Sequence, residues 1–446
     1  MTNNPFSYVR GWLSALIAYP VAERLEKRDI RSKRAELRDF YKRDYTERQR
    51  IALDRLANVL SFAGDRVPYY KDLFYSLKFD PDKVRRDVRY LTDLPYLTKD
   101  IIHEQGPRLF SVQPETIRHQ VCKTGGSTGS SCHIYYDQSA VDYAAAVTLY
   151  ARERIGKKKH KFELHFACRF PDQAHQRRWT REDWKGLAMN RSNIWFDRID
   201  DVGLEEIWQT LLKRCPYLVH GHPSTIYALA CYVEKTYGSA KTFDVFESSG
   251  ELLEPYMRQS IARVLQCRVI NRYGLAELGV MAYEMDGYET GLQVMESEGW
   301  PESMPFDDAH DGEEELIFTG FRNQLMPMIR YRTGDMAHVE YRDQGVFLTN
   351  VVGRIHDLVS INGIEHATHH IQDMLDHRVG GIQEFQIVLR TAPPTLKIVP
   401  EPSANRDDIY AKIEKFWGGG FSVEFVGHGD LVRVGHRAKF RHVVHP

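Results

Sequence analysis

Between residues 202 and 270 this 446-residue chain alternates two hydrophobic periods, and that alternation constrains its fold more than any other feature. Apolar residues recur at helical spacing over 202–214, a short apolar run follows at 217–219, and Pro223 opens a second helical stretch reaching 233. Proline suits a first helical turn because its missing N–H would have no partner there. Residues 243–246 read as a strand, Leu253, Met257, Ile261 and Val264 share one helix face, and 268–270 read as a strand again. Strands separated by helices of this length require layers in which helices cover a sheet, so an α/β fold is expected. The pattern then changes. Residues 316–319, 328–332 and 337–341 are strand-like with little helix between them, which predicts a smaller β-rich subdomain. Strands at 386–389, 396–399 and 423–426 around a helix at 407–417 predict a compact α+β unit. No internal repeat is evident, and Gly418-Gly419-Gly420 is the one low-complexity run.

Composition narrows the class. The length allows two or three domains and a large core. Apolar residues at 42% and charged residues at 27% sit near globular averages, which excludes a largely disordered chain. The 60 basic and 61 acidic residues leave a formal charge of −1, so no global field draws the chain onto nucleic acid or membrane. Cys122, Cys132, Cys168, Cys215, Cys231 and Cys267 are scattered without a Cys-x-x-Cys pair, as expected of reduced thiols in a cytoplasm. Residues 11–22 are mostly apolar but too short to span a bilayer, which takes about 20 residues. Pro20 interrupts them and no small-residue cleavage pattern follows, so a signal peptide is not expected. Residues 27–50 interleave Lys and Arg with Glu and Asp, as on a solvated helix. The Trp12 segment and this basic sequel leave room for at most a weak contact with a membrane surface.

Five segments carry chemistry. Asn271-Arg272-Tyr273-Gly274-Leu275-Ala276-Glu277 sets a carboxylate just after a glycine-containing turn that leaves the apolar strand of Val269 and Ile270. Tyr331-Arg332-Thr333-Gly334-Asp335 sets a second carboxylate on a Thr-Gly turn between two strand-like runs. Lys123-Thr124-Gly125-Gly126-Ser127-Thr128-Gly129-Ser130-Ser131 offers free backbone N–H groups and hydroxyls suited to wrapping phosphate oxygens. It lacks the Gly-Lys-Ser/Thr ending of a Walker A loop. The fourth segment is Val352-Gly353-Arg354-Ile355-His356-Asp357, and the fifth is Ala438-Lys439-Phe440-Arg441. Singly, each also fits an ordinary turn. A nucleoside triphosphate needs such parts together: backbone that approaches a flat base, a carboxylate for its magnesium, and another for its ribose.

In this order the segments resemble the adenylate-forming superfamily of acyl-CoA synthetases, and within it the phenylacetate–CoA ligases and their relatives found with capsule biosynthesis. The resemblance runs from about residue 94 to 441. It implies that Thr124, Gly125, Gly126, Ser127, Thr128 and Gly129 form a phosphate loop. It places Ser249, Gly250 and Glu251 along the adenine, with Asn271, Arg272, Tyr273 and Gly274 beside the nucleotide. Glu277 would be the magnesium ligand, Asp335 the ribose-binding aspartate, Arg354 the arginine after the hinge glycine, and Lys439 the catalytic lysine. His220-Gly221-His222-Pro223-Ser224 would lie near the acyl pocket, and His356 with Asp357 would form the hinge. Some positions depart from the pattern. Gly125 stands where Ser or Thr is common, Ser131 replaces a frequent Pro, His356 occupies a usually acidic hinge position, and Ala438 replaces the glycine before the lysine.

The resemblance further implies an AMP-binding N-terminal region over 1–352, its residues 1–93 a helical extension, and a small mobile lid over 353–446. The implied reaction activates a small carboxylic acid with ATP and Mg²⁺, releases pyrophosphate, and passes the acyl group to CoA. Two alternatives stay open. One is amide or ester formation on an amine or hydroxyl acceptor in polysaccharide biosynthesis; the other is a non-catalytic nucleotide-binding partner. Nothing in the pattern specifies an oligomeric state. His366, His369 and His370 have a spacing that could set two histidines on one helix face, but they read as solvated because no carboxylate or cysteine pattern accompanies them. The run Lys157-Lys158-Lys159-His160-Lys161 reads as an exposed loop, or else as a seat for CoA phosphates or an anionic sugar. Arg177, Arg178 and Arg181 read either as an exposed loop or as a hint of an anionic acceptor.

Overall fold

The protein is described here by a computed structural model over residues 5–123, 132–168, 180–196, 198–285, 291–305, 314–352, 358–434, 439–440 and 442–444. Its centre is one sheet of eleven strands among the described residues. The first five are β1 (Glu163–Cys168), β2 (Arg191–Phe196), β3 (Leu218–Gly221), β4 (Val245–Ser248) and β5 (Arg268–Leu275). They run parallel in the order β2-β1-β3-β4-β5. Helices Arg181–Met189, Asp201–Arg214, Pro223–Tyr237 and Pro255–Val264 make the connections. Such an order reverses between β1 and β3, and crevices at the carboxyl ends of strands flanking a reversal are where α/β folds bind ligands.

Local sequence explains these helices. Asp200 caps Asp201–Arg214 by accepting from the Gly203 N–H at 3.1 Å, and Pro223 occupies the first turn of Pro223–Tyr237. Their apolar faces meet one side of the sheet in a core built from Phe196, Trp208, Val219, Leu229, Phe246 and Ile261. On the other side, helices Ile30–Tyr41 and Gln138–Arg154 pack Leu37, Val147 and Tyr150 against Leu218, Val245 and Ile270.

The remaining strands are β6 (Gly279–Tyr283), β7 (Leu292–Val294), β8 (Gly299–Pro305), β9 (Glu314–Gly320), β10 (Tyr331–Arg342) and β11 (Gly345–Val352). They continue the sheet as β5-β6-β7-β11-β10-β9-β8, each pair antiparallel. Strand β5 therefore has two kinds of neighbour. Its residues 268–271 pair in parallel with β4, and its residues 272–275 pair antiparallel with β6. Helices Tyr45–Arg66 and Pro68–Leu77 cover this half, burying Leu56, Leu60 and Tyr70 with Trp300, Met328 and Tyr331.

The C-terminal residues build the expected α+β unit around their own core, which includes Val359, Ile371, Phe385, Ile398, Ile413 and Val443. Its sheet orders Ser422–Phe425, Thr395–Pro400, Ile382–Val388 and Val443–Val444, with helix Arg406–Trp417 capped by Asn405. No helix among the described residues is long and apolar enough to cross a membrane.

Three expectations are corrected. The strand-like runs 328–332 and 337–341 are not two strands flanking a turn: β10 is continuous, and Asp335 sits in a bulge where the register against β9 shifts and Gly334 takes φ +76°. The basic run is not an exposed loop. Lys157 is buried in an ion pair with Glu163 at 2.8 Å, Lys159 lies 3.4 Å from the centre of the Tyr19 ring, and Lys161 donates to the Gly156 carbonyl at 2.8 Å. Only Lys158 of its lysines is fully exposed. His370 is not solvated but buried, edge-on to Phe196 and to His366.

Candidate active site

A cavity of about 180 Å³ opens beside the point where β5 changes partners. Gly250, Glu251 and Leu252 reach it from the end of β4, residues 271–277 from β5 and the turn after it, and Asp335 from the β10 bulge. The structure thus brings together Gly250, Glu251, Asn271, Arg272, Tyr273, Gly274, Glu277 and Asp335, which the sequence separates by up to 85 residues. Ser249 sits next to them, its N–H donating to the Gly221 carbonyl at 3.2 Å. Gly250 has φ +87°, and a Cβ there would lie 2.6 Å from His222 Cε1, so only glycine lets this backbone reach the cavity wall.

Both carboxylates are aimed by tyrosines. Asp335 Oδ2 accepts from the Tyr273 hydroxyl at 2.8 Å, and burial together with that charge raises the Tyr273 pKa well above the usual value, keeping it a donor. Glu277 is buried; its Oε1 accepts from the Tyr331 hydroxyl at 2.7 Å and lies 3.9 Å from Lys99 Nζ. These residues fit a magnesium ion. Such an ion takes one or two carboxylates and fills its shell with phosphate oxygens and water, and Glu277 offers one oriented carboxylate at the cavity wall. Tyr331 and Lys99 were not picked out from sequence as partners of Glu277. Tyr331 was legible as part of the Asp335 segment, but its reach to Glu277 depends on sheet register.

The predicted acyl-side residues, 220–224, lie at the carboxyl end of β3 and the start of the helix that follows it. His165, His220 and Glu247 are register neighbours on β1, β3 and β4, so their side chains share the sheet face under helix Gln138–Arg154. There Arg152 pairs with Glu247 at 2.5 Å and with Glu163 at 3.2 Å, all three nearly inaccessible. His220 Nδ1 lies 2.7 Å from Glu247 Oε2, out of line for a regular hydrogen bond. Burial pushes the His220 pKa down to about 4 and that of His165 to about 3, so both rings are neutral near pH 7. Arg272, which lines the cavity, stands 3.8 Å from the same glutamate. The sequence signal for this network was Glu247, a charge directly after the apolar pair Val245-Phe246 of β4.

His222, Pro223 and Ser224 start the next helix. Ser224 donates to Glu251 through both its N–H, at 3.1 Å, and its hydroxyl, at 3.0 Å, and His222 Nδ1 lies 3.4 Å from the same carboxylate. Burial opposes protonation of His222, but Glu251 and the more distant Asp373 outweigh it and raise its pKa. A raised histidine pKa stabilises the fold below the ordinary value near 6.5 and loses that contribution as pH rises through the raised one. Replacing His222 with Gln should therefore lower the denaturation midpoint at pH 6 and change it little at pH 9; equal losses at both would refute the charged pairing.

The C-terminal unit docks at this end of the parallel strands. Lys123 Nζ donates to Asp376 Oδ1 at 2.7 Å and to the Ile382 carbonyl at 2.8 Å, and Ile199 N–H donates to the Glu365 carbonyl at 3.1 Å. Lys439 lies on a two-residue strand, Lys439–Phe440, paired with Arg433–Val434; its side chain is outside the described residues. Thr124, Gly125, Gly126, Ser127, Thr128, Gly129, Arg354, His356 and Asp357 are also outside them, as are Arg177 and Arg178. Arg181 is exposed and pairs with Glu26 at 2.9 Å.

No family model matches the chain. Among curated proteins, the phenylacetate–coenzyme A ligase of Escherichia coli is 26% identical over 334 residues, which is 71% of this chain and 74% of the ligase. Protein CapK of Staphylococcus aureus is 24% identical over 282 residues, 61% of this chain, and the match spans 60% of CapK's own length. Among solved structures, a 2-hydroxyisobutyryl-CoA ligase in its postadenylation state aligns with a TM-score of 0.55 at 18% identity, covering 90% of each chain, and this likeness concerns the fold. The chain is thus similar in sequence to phenylacetate–coenzyme A ligases and has the fold of the adenylate-forming ligases.

Proposed function

We propose that the protein activates a small carboxylic acid with ATP, releasing pyrophosphate, and transfers the acyl group from the resulting adenylate to the thiol of CoA. The convergence of residues 250–252, 271–277 and Asp335 on one cavity carries this reading. The named activity of the E. coli relative supports CoA as the acceptor.

A carboxylate resists substitution because its leaving group would be oxide. Attack of one carboxylate oxygen on the α-phosphorus, with cleavage of the bond to pyrophosphate, turns that oxygen into part of a good leaving group, AMP. The thiolate of CoA then attacks the carbonyl carbon and expels AMP. The first step brings two anions together, so fixed positive charge must offset their repulsion. Lys439 supplies it between the carboxylate and the α-phosphate. Residues 124–129 orient the β- and γ-phosphates, and Glu277 would hold Mg²⁺, whose charge neutralises the phosphates. Asp335, aimed by Tyr273, accepts from the ribose hydroxyls, a role that Arg354 shares. Residues 1–352 form the nucleotide-binding region, and 353–446 form a lid that turns at His356 and Asp357.

Hydrogen bonds to a charged group contribute about 1.5–3 kcal/mol, so Asp335→Ala should raise the KM for ATP by about 10–100-fold with the fold intact. An unchanged KM would remove the ribose role. The whole reading is tested by pyrophosphate release from ATP and Mg²⁺ over a panel of aryl, fatty, amino and uronic acids, with and without CoA. Release that turns over only with CoA supports it. Release indifferent to CoA assigns another acceptor, and no release together with no ATP binding overturns it.

A further inference from the structure

The first helical run of the chain has a face that the fold leaves uncovered. Pro5–Leu13, the π-helical Ser14–Ala18 and Tyr19–Leu25 follow one another without a break. One side is built into the protein. Gly11 packs so tightly on the His160 carbonyl that a Cβ would lie 2.1 Å from its oxygen, Ser14 Oγ donates to the Leu187 carbonyl at 2.9 Å, and Tyr19 and Glu23 are buried. The other side is apolar and open: Val9, Leu13, Leu16, Ile17, Val21 and Leu25 are each 51–79% exposed.

Five of these residues recur every four positions. In a regular α-helix that spacing drifts about 40° per step, which would wind the stripe around the helix. The wider π turn at Ser14–Ala18 takes up part of the drift and keeps the stripe on one side. Helix Arg181–Met189, which holds Ser14 through Leu187, itself carries Trp184, 60% exposed. A continuous apolar face of this kind marks an interaction surface.

Charge selects the occupant. Residues 8–34 hold seven basic and three acidic side chains, in a chain whose formal charge is −1. Arg24 and Lys27 stand at the far end of the stripe, and Lys158 is two residues from His160, on which Trp12 stacks at 4.2 Å near the stripe's start. All three are exposed and in no ion pair among the described residues. A protein interface core is depleted of such charges, whereas an anionic lipid surface is matched by an apolar face with Lys and Arg at its margins and Trp and Tyr at headgroup level. We propose that residues 8–25 dock the protein, lying in the plane of the surface, onto anionic bilayers. This does not depend on the chemistry proposed above.

Cosedimentation of the full chain with vesicles tests it, comparing pure phosphatidylcholine with phosphatidylcholine containing about one-third phosphatidylglycerol. The protein should bind the anionic vesicles, bind pure phosphatidylcholine far less, and lose affinity in high salt. The double variant Leu16→Glu, Ile17→Glu changes only exposed positions. It should keep the wild-type melting temperature and bind about tenfold less. Arg24→Glu with Lys27→Glu should remove the preference for phosphatidylglycerol. No binding to either vesicle overturns the proposal, as does binding that both variants leave unchanged. A concentration-dependent dimer in light scattering that Leu16→Glu, Ile17→Glu dissociates would also overturn it, assigning the face to a second copy.

Discussion

Replacing Lys439 with Ala should abolish acyl-adenylate formation while leaving ATP binding largely intact. In the proposed function the nucleotide is held by the walls of the cavity, from Gly250, residues 271–277 and Asp335, and none of these depends on the lysine. What the lysine adds in that proposal is charge at the moment a carboxylate approaches the α-phosphate. Removing one fixed donor aimed at developing charge costs at least about 10²–10³-fold in rate. Pyrophosphate exchange should therefore collapse, while titration with ATP in a calorimeter should give a near wild-type Kd. The variant supplied with preformed acyl-adenylate and CoA should still make thioester, because the amine acts before AMP leaves. Near-normal adenylate formation would withdraw the assignment of Lys439.

The largest effect on stability is expected at a residue far less visible in the sequence. Glu247 is wholly buried, paired with Arg152 and accepting a hydrogen bond from the Tyr283 hydroxyl, with His220 and Arg272 close to the same carboxylate. Glu247→Ala removes the nearer of the two buried carboxylates that pair with the Arg152 guanidinium, leaving Glu163 at 3.2 Å, and opens a cavity. Breaking a buried pair in this way costs about 3–5 kcal/mol, readable as a lower midpoint in urea. Burial alone would raise the Glu247 pKa, but Arg152 and His220 hold it well below the usual carboxylate range. A depressed carboxylate pKa contributes stability above its ordinary value and loses it as pH falls through the depressed one. The wild type should thus lose stability in acid more steeply than the alanine variant. Parallel pH profiles for the two would show that the pair contributes no charge.

Most of the architecture was legible because helix and strand periods differ and the segments are long. Helix 202–214 was expected and Asp201–Arg214 is found; helix 407–417 was expected and Arg406–Trp417 is found. Features set by long-range register were not legible. Tyr331-Arg332-Thr333-Gly334-Asp335 fits a turn as well as a bulge, and only pairing with β9 makes it a bulge. The basic run at 157–161 resembles a solvated loop until Glu163, the Tyr19 ring and the Gly156 carbonyl claim three of its lysines. The candidate site divides the same way. The residues that line the cavity were legible as short motifs, whereas Arg152 and Glu247 lie 95 residues apart and meet only through β4 and its covering helix.

Strand β5 gives the cavity a mechanical meaning. The parallel and the antiparallel half of the sheet each have a hydrophobic cluster of their own, a third cluster with Val245, Ile270, Val280 and Tyr283 spans both, and β5 is the hydrogen-bonded seam between the halves. Gly250 and Glu251 belong to one side of that seam and Asp335 to the other, with residues 271–277 along it. A nucleotide seated there would work as a rivet through two plates. Its affinity would then be shared with the cohesion of the sheet, so that opening either half would first require letting the ligand go.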